Sequence, residues 1–166
     1  MTNRRPGSHT GAIELRDILE QDLEIIFSQQ QDPQANYMAA FTAENPADEN
    51  AFTIKWAKIL GNGTFVKRAI LYDGRVAGHI VKFEQFGEPE ISYWIGKEYW
   101  GRGVATRALA LFLEVVQERP LFARAAKDNA ASIRVLQKNG FTIIGEGKGY
   151  ANARGEEIEE YILKLN

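Results

Sequence analysis

The 166-residue chain reads as one mixed α/β domain. Three features carry that reading. Apolar patterns of period two and of helical period follow one another along the chain, Asp73-Gly74 signals a β-hairpin, and two strand–helix–strand crossovers occupy the second half. The length suits a single core, and 45% hydrophobic, 25% charged and 11% aromatic residues are the proportions of a folded globular protein. Residues 12–166 are expected to form that domain. Residues 1–11 are expected to be a flexible segment, with Arg4 and Arg5 but no apolar run of the kind a signal peptide needs.

Ala12 to Ile18 alternates apolar and polar positions and predicts the first strand. From Glu20 the period becomes helical, with Leu23, Ile25, Ile26 and Phe27, and the helix is expected to end before Pro33. Gln34 to Glu44 has apolar residues without a period and predicts a loop lining a cleft. Asn45-Pro46 is expected to cap a helix that continues through Leu60, with Asp48 and Glu49 near its positive end and Gly61 and Gly63 as its stop. Phe65 to Tyr72 and Arg75 to Phe86 predict an antiparallel pair about Asp73-Gly74. A turn at Gly87 to Pro89 leads to a strand over Glu90 to Ile95.

After Gly101-Arg102-Gly103, the residues Val104, Ala108, Leu109, Leu111, Phe112, Val115 and Val116 predict a core helix reaching Glu118. Leu121 to Ala126 is a short strand. Asp128-Asn129 caps a helix to Asn139 with Gly140 as its stop, and Phe141 to Glu146 is a strand. Gly145 to Gly155 is expected to be a glycine-rich loop before a last alternating strand over Glu157 to Leu165.

Composition removes much chemistry. Without cysteine there is no disulfide, thiolate nucleophile or cysteine-ligated metal, and two histidines seventy positions apart, His9 and His79, make no histidine metal site. A net charge of −2 argues against bulk nucleic-acid or membrane-surface binding. Small molecules or peptides are the expected partners, a homodimer through exposed strand edges is plausible, and the expected location is cytoplasmic.

The informative stretch is Trp100-Gly101-Arg102-Gly103-Val104-Ala105-Thr106, between a strand and a buried helix. A helix N-terminus presents unpaired N–H groups and partial positive charge, and glycines let a phosphate reach them. Arg102 could add a cation and Thr106 a hydroxyl. No Walker A string exists, and a dinucleotide fingerprint is half met by Gly101 and Gly103 with Thr106 in place of its third glycine.

Over most of its length the chain resembles the GCN5-related N-acetyltransferases. Gly103-Val104-Ala105 matches the second half of their Gln/Arg-x-x-Gly-x-Gly/Ala loop, with Trp100 at the first position. Tyr93-Trp94-Ile95, Tyr99-Trp100-Gly101, and the run Asp128-Asn129-Ala130-Ala131-Ser132 through Lys138-Asn139-Gly140-Phe141 are similar to the branch that acetylates N-termini of ribosomal proteins. The resemblance implies a central mixed, mostly antiparallel sheet flanked by helices, with acetyl-CoA in a wedge between the strands at Glu90–Ile95 and Leu121–Ala126.

It implies further that backbone N–H groups from Arg102, Gly103, Val104, Ala105 and Thr106 hold the pyrophosphate. The strand backbone near Trp94 and Ile95 would contact pantetheine and the thioester carbonyl, with an oxyanion donor near Ile95, and Asn129 would bind the pantetheine arm. The acceptor is an amine, from a protein N-terminus or a small molecule, and is protonated near neutral pH, so a base is needed. Glu90 is the first candidate, ahead of Glu84, Glu88, Glu98 and His79. Many relatives protonate the departing thiolate with a tyrosine seven residues after the asparagine, where this chain has Leu136; Ser132 is the candidate acid, and Tyr150 another. A non-catalytic acyl-CoA-binding module is the alternative function.

Overall fold

A computed structural model describes residues 11–166. The segment expected to be flexible therefore lies outside the described residues, apart from Gly11. The N–H groups of Gly11 and Ala12 bond the Asp73 carboxylate at 3.1 and 3.0 Å, which ties the start of the domain to the hairpin turn.

The strands are β1 (Ile13–Asp17), β2 (Val66–Tyr72), β3 (Arg75–Gln85), β4 (Glu88–Ile95), β5 (Leu121–Ala126), β6 (Thr142–Ala151) and β7 (Glu156–Leu165). The helices are α1 (Leu23–Gln29), α2 (Pro33–Ala39), α3 (Glu49–Gly61), α4 (Val104–Val115) and α5 (Ala130–Lys138). The strands form one sheet in the order β1-β2-β3-β4-β5-β7-β6. Every neighbouring pair is antiparallel except β4 with β5, the crossover that carries α4.

Strand alternation divides the core between two faces. Ile70, Ile80, Ile91, Leu121 and Leu163 point to one face and pack against Leu109 and Phe112 of α4 and Leu136 of α5. Their neighbours Ala69 and Val81 point to the other face, with Ile26 of α1 and Trp56 of α3. Phe112 is fully buried, and truncating such a side chain to alanine costs about 3–5 kcal/mol.

Several boundaries differ from expectation. Pro33 starts a helix as well as ending one: Asp32 accepts the Ala35 N–H at 2.8 Å and Pro33 sits at the first position of α2, so this part of the expected loop is helical. The cap of α3 is Asp48, which accepts the Ala51 N–H at 3.0 Å, whereas Asn45 closes a turn to the Ala47 N–H at 3.1 Å. The β3–β4 turn is Phe86-Gly87, with φ 53° and 75°, and Pro89 lies within β4 opposite Glu84. Helix α4 ends at Val115 rather than Glu118. Most of the expected glycine-rich loop is strand β6, because Gly145, Gly147 and Gly149 pair with Ile162, Glu160 and Ile158 of β7. Among the described residues, no helix is long and apolar enough to cross a membrane.

Candidate active site

Parallel strands β4 and β5 share one register pair, Glu90 with Phe122, and beyond it they separate. This makes a wedge with Glu90 at its apex and the start of α4 at its mouth. Five residues of strand separate Glu90 from Ile95, about 17 Å. An extended pantetheine arm is of that length.

At the mouth, Gly101 and Gly103 hold φ of 75° and 72°, which disfavours any side chain there, and nothing lies within 4 Å of where a Cβ would sit on either. No side chain caps α4, and its first turn has no acidic residue. The N–H groups of Val104, Ala105 and Thr106 are the ones a helix leaves without an intrahelical acceptor. Open glycine surface and uncapped donors fit a pyrophosphate. Trp100 staples the loop to the strand, its indole N–H donating to the Ile95 carbonyl at 2.9 Å. Arg102 lies over the Tyr72 ring, 5.4 Å from its centroid. The Thr106 carbonyl accepts from Asn139 Nδ2 at 3.2 Å, tying the ends of α4 and α5 together.

Backbone alternation decides which groups of β4 face the gap. The Trp94 carbonyl points at β3, into the space a side chain at Gly78 would need, and the Gly96 N–H bonds the Ala77 carbonyl at 2.8 Å. Tyr93 and Ile95 therefore present their peptide groups to the wedge. Trp94, within the stretch expected to contact pantetheine, thus turns its carbonyl to β3. Its side chain instead reaches α1, where the indole N–H donates to the Gln29 carbonyl at 3.3 Å.

On the α4/α5 face, the Tyr93 and Ser132 hydroxyls are 2.8 Å apart. Burial pushes the Tyr93 phenol up to about 12, so it keeps its proton throughout the ordinary pH range. Asn129 caps α5 by accepting the Ser132 N–H at 3.3 Å and donates from Nδ2 to the Met38 carbonyl at 3.2 Å. Leu136, at the position expected of a tyrosine, is buried in the core.

On the opposite face, Glu90 is buried and accepts from Arg124 Nε at 3.1 Å, while Arg124 also donates to Glu160 at 2.9 Å. Burial raises the Glu90 carboxyl above its ordinary value, and the Arg124 hydrogen bond and charge oppose that rise. Helix α2 and the residues after it lie over this face. Arg154 stacks 3.8 Å from the Tyr37 ring centroid, donates to the Tyr37 carbonyl at 2.7 Å and forks onto Asp128 at 2.7 and 3.0 Å.

Other candidates lie elsewhere. His79 packs edge-on to Trp56 at 5.1 Å, and burial lowers it to about 3, which keeps the ring neutral. Tyr150 is 64% exposed on β6, on the side chain face it shares with Glu146 and Lys148. Glu84 is half exposed and lies 3.8 Å from Lys82. Three contributors escaped sequence reasoning: Tyr93, Arg124 and Arg154. Tyr93 alone had a signal, since it shares parity with Ile91 of the core and with Ile95, which packs against it.

The family profile described as "Acetyltransferase (GNAT) domain" matches residues 12–142. A relative named as a ribosomal N-acetyltransferase, YdaF of Bacillus subtilis (strain 168), is 29% identical over 136 residues, covering 74% of each chain. The L-amino acid N-acetyltransferase AaaT of Escherichia coli (strain K12) is 27% identical over 121 residues, 65% of this chain and 73% of that one. Among solved structures, RimJ of Mycobacterium smegmatis with CoA-disulfide superposes with TM-score 0.75 at 21% identity, covering 93% of this chain and 82% of the other. Spermidine N-acetyltransferase of Vibrio cholerae with CoA and spermine gives 0.78 at 14% identity, covering 92% and 94%. The family match over most of the chain makes it a member of the GNAT family, an N-acetyltransferase whose acyl donor is acetyl-CoA.

Proposed function

We propose that the enzyme acetylates a primary amine, on a protein N-terminus or a small molecule, by direct attack within a ternary complex. The observation that carries this reading is the single β4–β5 pair. It opens a slot from the α4 cradle to Glu90, and Glu90 points to the face roofed by α2, where an acceptor has its own approach. Acetyl-CoA supplies the activated thioester. The N–H groups of residues 104–106, with Arg102 and Gly103 of the same loop, hold its pyrophosphate, and the Ile95 and Tyr93 peptide groups line its arm. The Asn129 amide lies at the wedge as a further contact.

An α-amino group has a pKa near 8 and reaches the site largely as ammonium. Glu90 accepts that proton, directly or through a water. Its burial makes it a stronger base than a surface glutamate, and Arg124 keeps it ionised until the proton arrives. On the other face, the Tyr93 and Ser132 hydroxyls lie 2.8 Å apart and either can donate; with Tyr93 as donor, the Ser132 O–H hydrogen-bonds the departing thiolate, and a proton it passes on is replaced from solvent.

Thiol release with acetyl-CoA against panels of N-terminal peptides and of free amines tests the reading. Turnover on peptides alone selects a protein N-terminus, and turnover on free amines alone selects a small acceptor. Release with neither panel overturns the proposed acceptor class.

A further inference from the structure

Two carboxylates share one guanidinium on the acceptor side of the wedge. Arg124 donates from Nε to Glu90 at 3.1 Å and from Nη1 to Glu160 at 2.9 Å, and both acids are buried. One negative charge is left uncompensated. The other cations of the roof are engaged, Arg154 by its fork on Asp128 and Lys97 by Asp32 at 3.6 Å. Lys164 shares the face of β7 with Glu160 but lies four residues along the strand, about 13 Å, over the Phe122 ring. Glu88, exposed and of the same parity as Glu90, adds negative charge at the hairpin end. Phe86, 80% exposed, covers one face of Arg124, its ring centroid 5.1 Å from the guanidinium carbon. Nη2 is then the Arg124 nitrogen without an acceptor among the described residues.

We propose that the uncompensated charge makes the enzyme select amines that carry no adjacent carboxylate, a peptide N-terminus or an amide of an amino acid, and reject free α-amino acids. The inference rests on Glu90 as the base of the proposed reaction. An acceptor nitrogen within hydrogen-bonding reach of Glu90 brings its α-carbon substituents beside Arg124. In a free amino acid the carboxylate oxygens are three bonds from that nitrogen. They become a further anion around a single guanidinium, in a site partly shielded from water. In a peptide the same position holds a neutral carbonyl, which accepts from Nη2 without adding charge. The ammonium is favoured in both cases, so the discrimination falls on the group next to it.

Glu160 is thus a specificity residue and takes no part in the proton transfer. Its β6 neighbour supports that role. Gly147 stands opposite Glu160, and a Cβ on it would lie 3.2 Å from Glu160 Oε1 and 3.7 Å from Arg124 Nη1. Glycine keeps that side of the ion pair clear of a side chain. The exposed Phe86 ring beside Arg124 suits an apolar substituent on the acceptor, which makes leucine, methionine and phenylalanine the informative probes.

The test is kcat/KM from thiol release with acetyl-CoA, measured on these three amino acids, on their amides and on their dipeptide amides. The wild-type enzyme prefers the amides. A carboxylate also changes the basicity of its own amine, a bias that any enzyme shows, so the deciding quantity is the change in preference on Glu160→Gln. That variant keeps an oxygen for Arg124 to bond and removes the charge. It lowers the amide preference roughly tenfold by raising turnover of the free acids. Glu160→Asp, which keeps the charge, retains the preference. Equal or better wild-type turnover of the free amino acids, the result of a carboxylate seated on Arg124 Nη2, overturns the proposal. So does a preference that Glu160→Gln leaves unmoved. Release with none of the acids, amides or dipeptide amides overturns the acceptor class of the proposed function as well, which separates the two failures.

Discussion

Tyr93 of β4 and Ser132 of α5 meet hydroxyl to hydroxyl at 2.8 Å, joining the two elements that flank the wedge on the α4/α5 face. A serine in the first turn of a helix can otherwise turn its proton to nearby backbone. With Tyr93 as donor, the Ser132 proton is directed away from the phenol.

Ser132→Ala is expected to lower kcat by roughly 100-fold, the lower range for a positioned acid, with the KM for acetyl-CoA little changed. Tyr93→Phe removes one hydrogen bond and is expected to cost about tenfold in kcat. If Tyr93 acts through Ser132, the double variant is no worse than Ser132→Ala alone. Additive losses in steady-state kinetics would show that the two hydroxyls act separately. The Tyr93 phenol, raised to about 12, contributes no limb to the rate profile between pH 6 and 10.

Ala105→Glu places a carboxylate in the first turn of α4. A negative charge there stabilises the helix by about 0.3–1 kcal/mol and repels a pyrophosphate from the same N–H groups. The expected result is an unchanged or higher melting temperature with acetyl-CoA binding lost by calorimetry. Normal binding by this variant would falsify the cradle assignment.

Glu90 has its carboxyl raised in the folded state, chiefly by burial. Such a group favours folding while protonated, and this contribution is lost as pH rises through the folded pKa. Glu90→Gln mimics the protonated form. Its stability relative to wild type is therefore expected to be greatest above that pKa and to vanish below the ordinary glutamate range. In the same variant kcat/KM falls by roughly 100-fold and its acidic limb disappears. Denaturant melts across pH and a rate profile check the two halves separately. A variant that keeps full activity would remove Glu90 as the base.

Arg154, in the β6–β7 turn, holds the α2 segment through its stack on Tyr37 and its bond to the Tyr37 carbonyl, and is itself fixed by its fork on Asp128 before α5. Lysine keeps the charge but not the planar fork. Arg154→Lys is expected to increase hydrogen exchange over residues 33–44 and to raise acceptor KM severalfold, leaving acetyl-CoA affinity unaltered because the cradle lies on α4. Arg154 also holds the Asp128 carboxyl below the usual aspartate range. The clamp's contribution is present above that range and is lost as pH falls through the lowered value. Unchanged exchange in the variant would show that the segment is held by other contacts.

The sequence by itself determined the elements whose cause is local. Asp73-Gly74 demanded a tight hairpin, Asn129 and Gly140 bracketed α5, and Gly101 and Gly103 marked the turn into the apolar helix α4, because each depends on backbone torsions within a few residues. Where one residue could serve two local purposes, the reading slipped. Pro33 both stops α1 and starts α2, and the glycines of β6 look like loop until β7 pairs with them. Only the tertiary structure decided which residues stand together across sequence distance. Tyr93 meets Ser132, Arg124 joins Glu90 to Glu160, and Arg154 reaches back to Tyr37. Strand register and the single β4–β5 pair bring these groups together, and both are set by long-range pairing that no local propensity encodes.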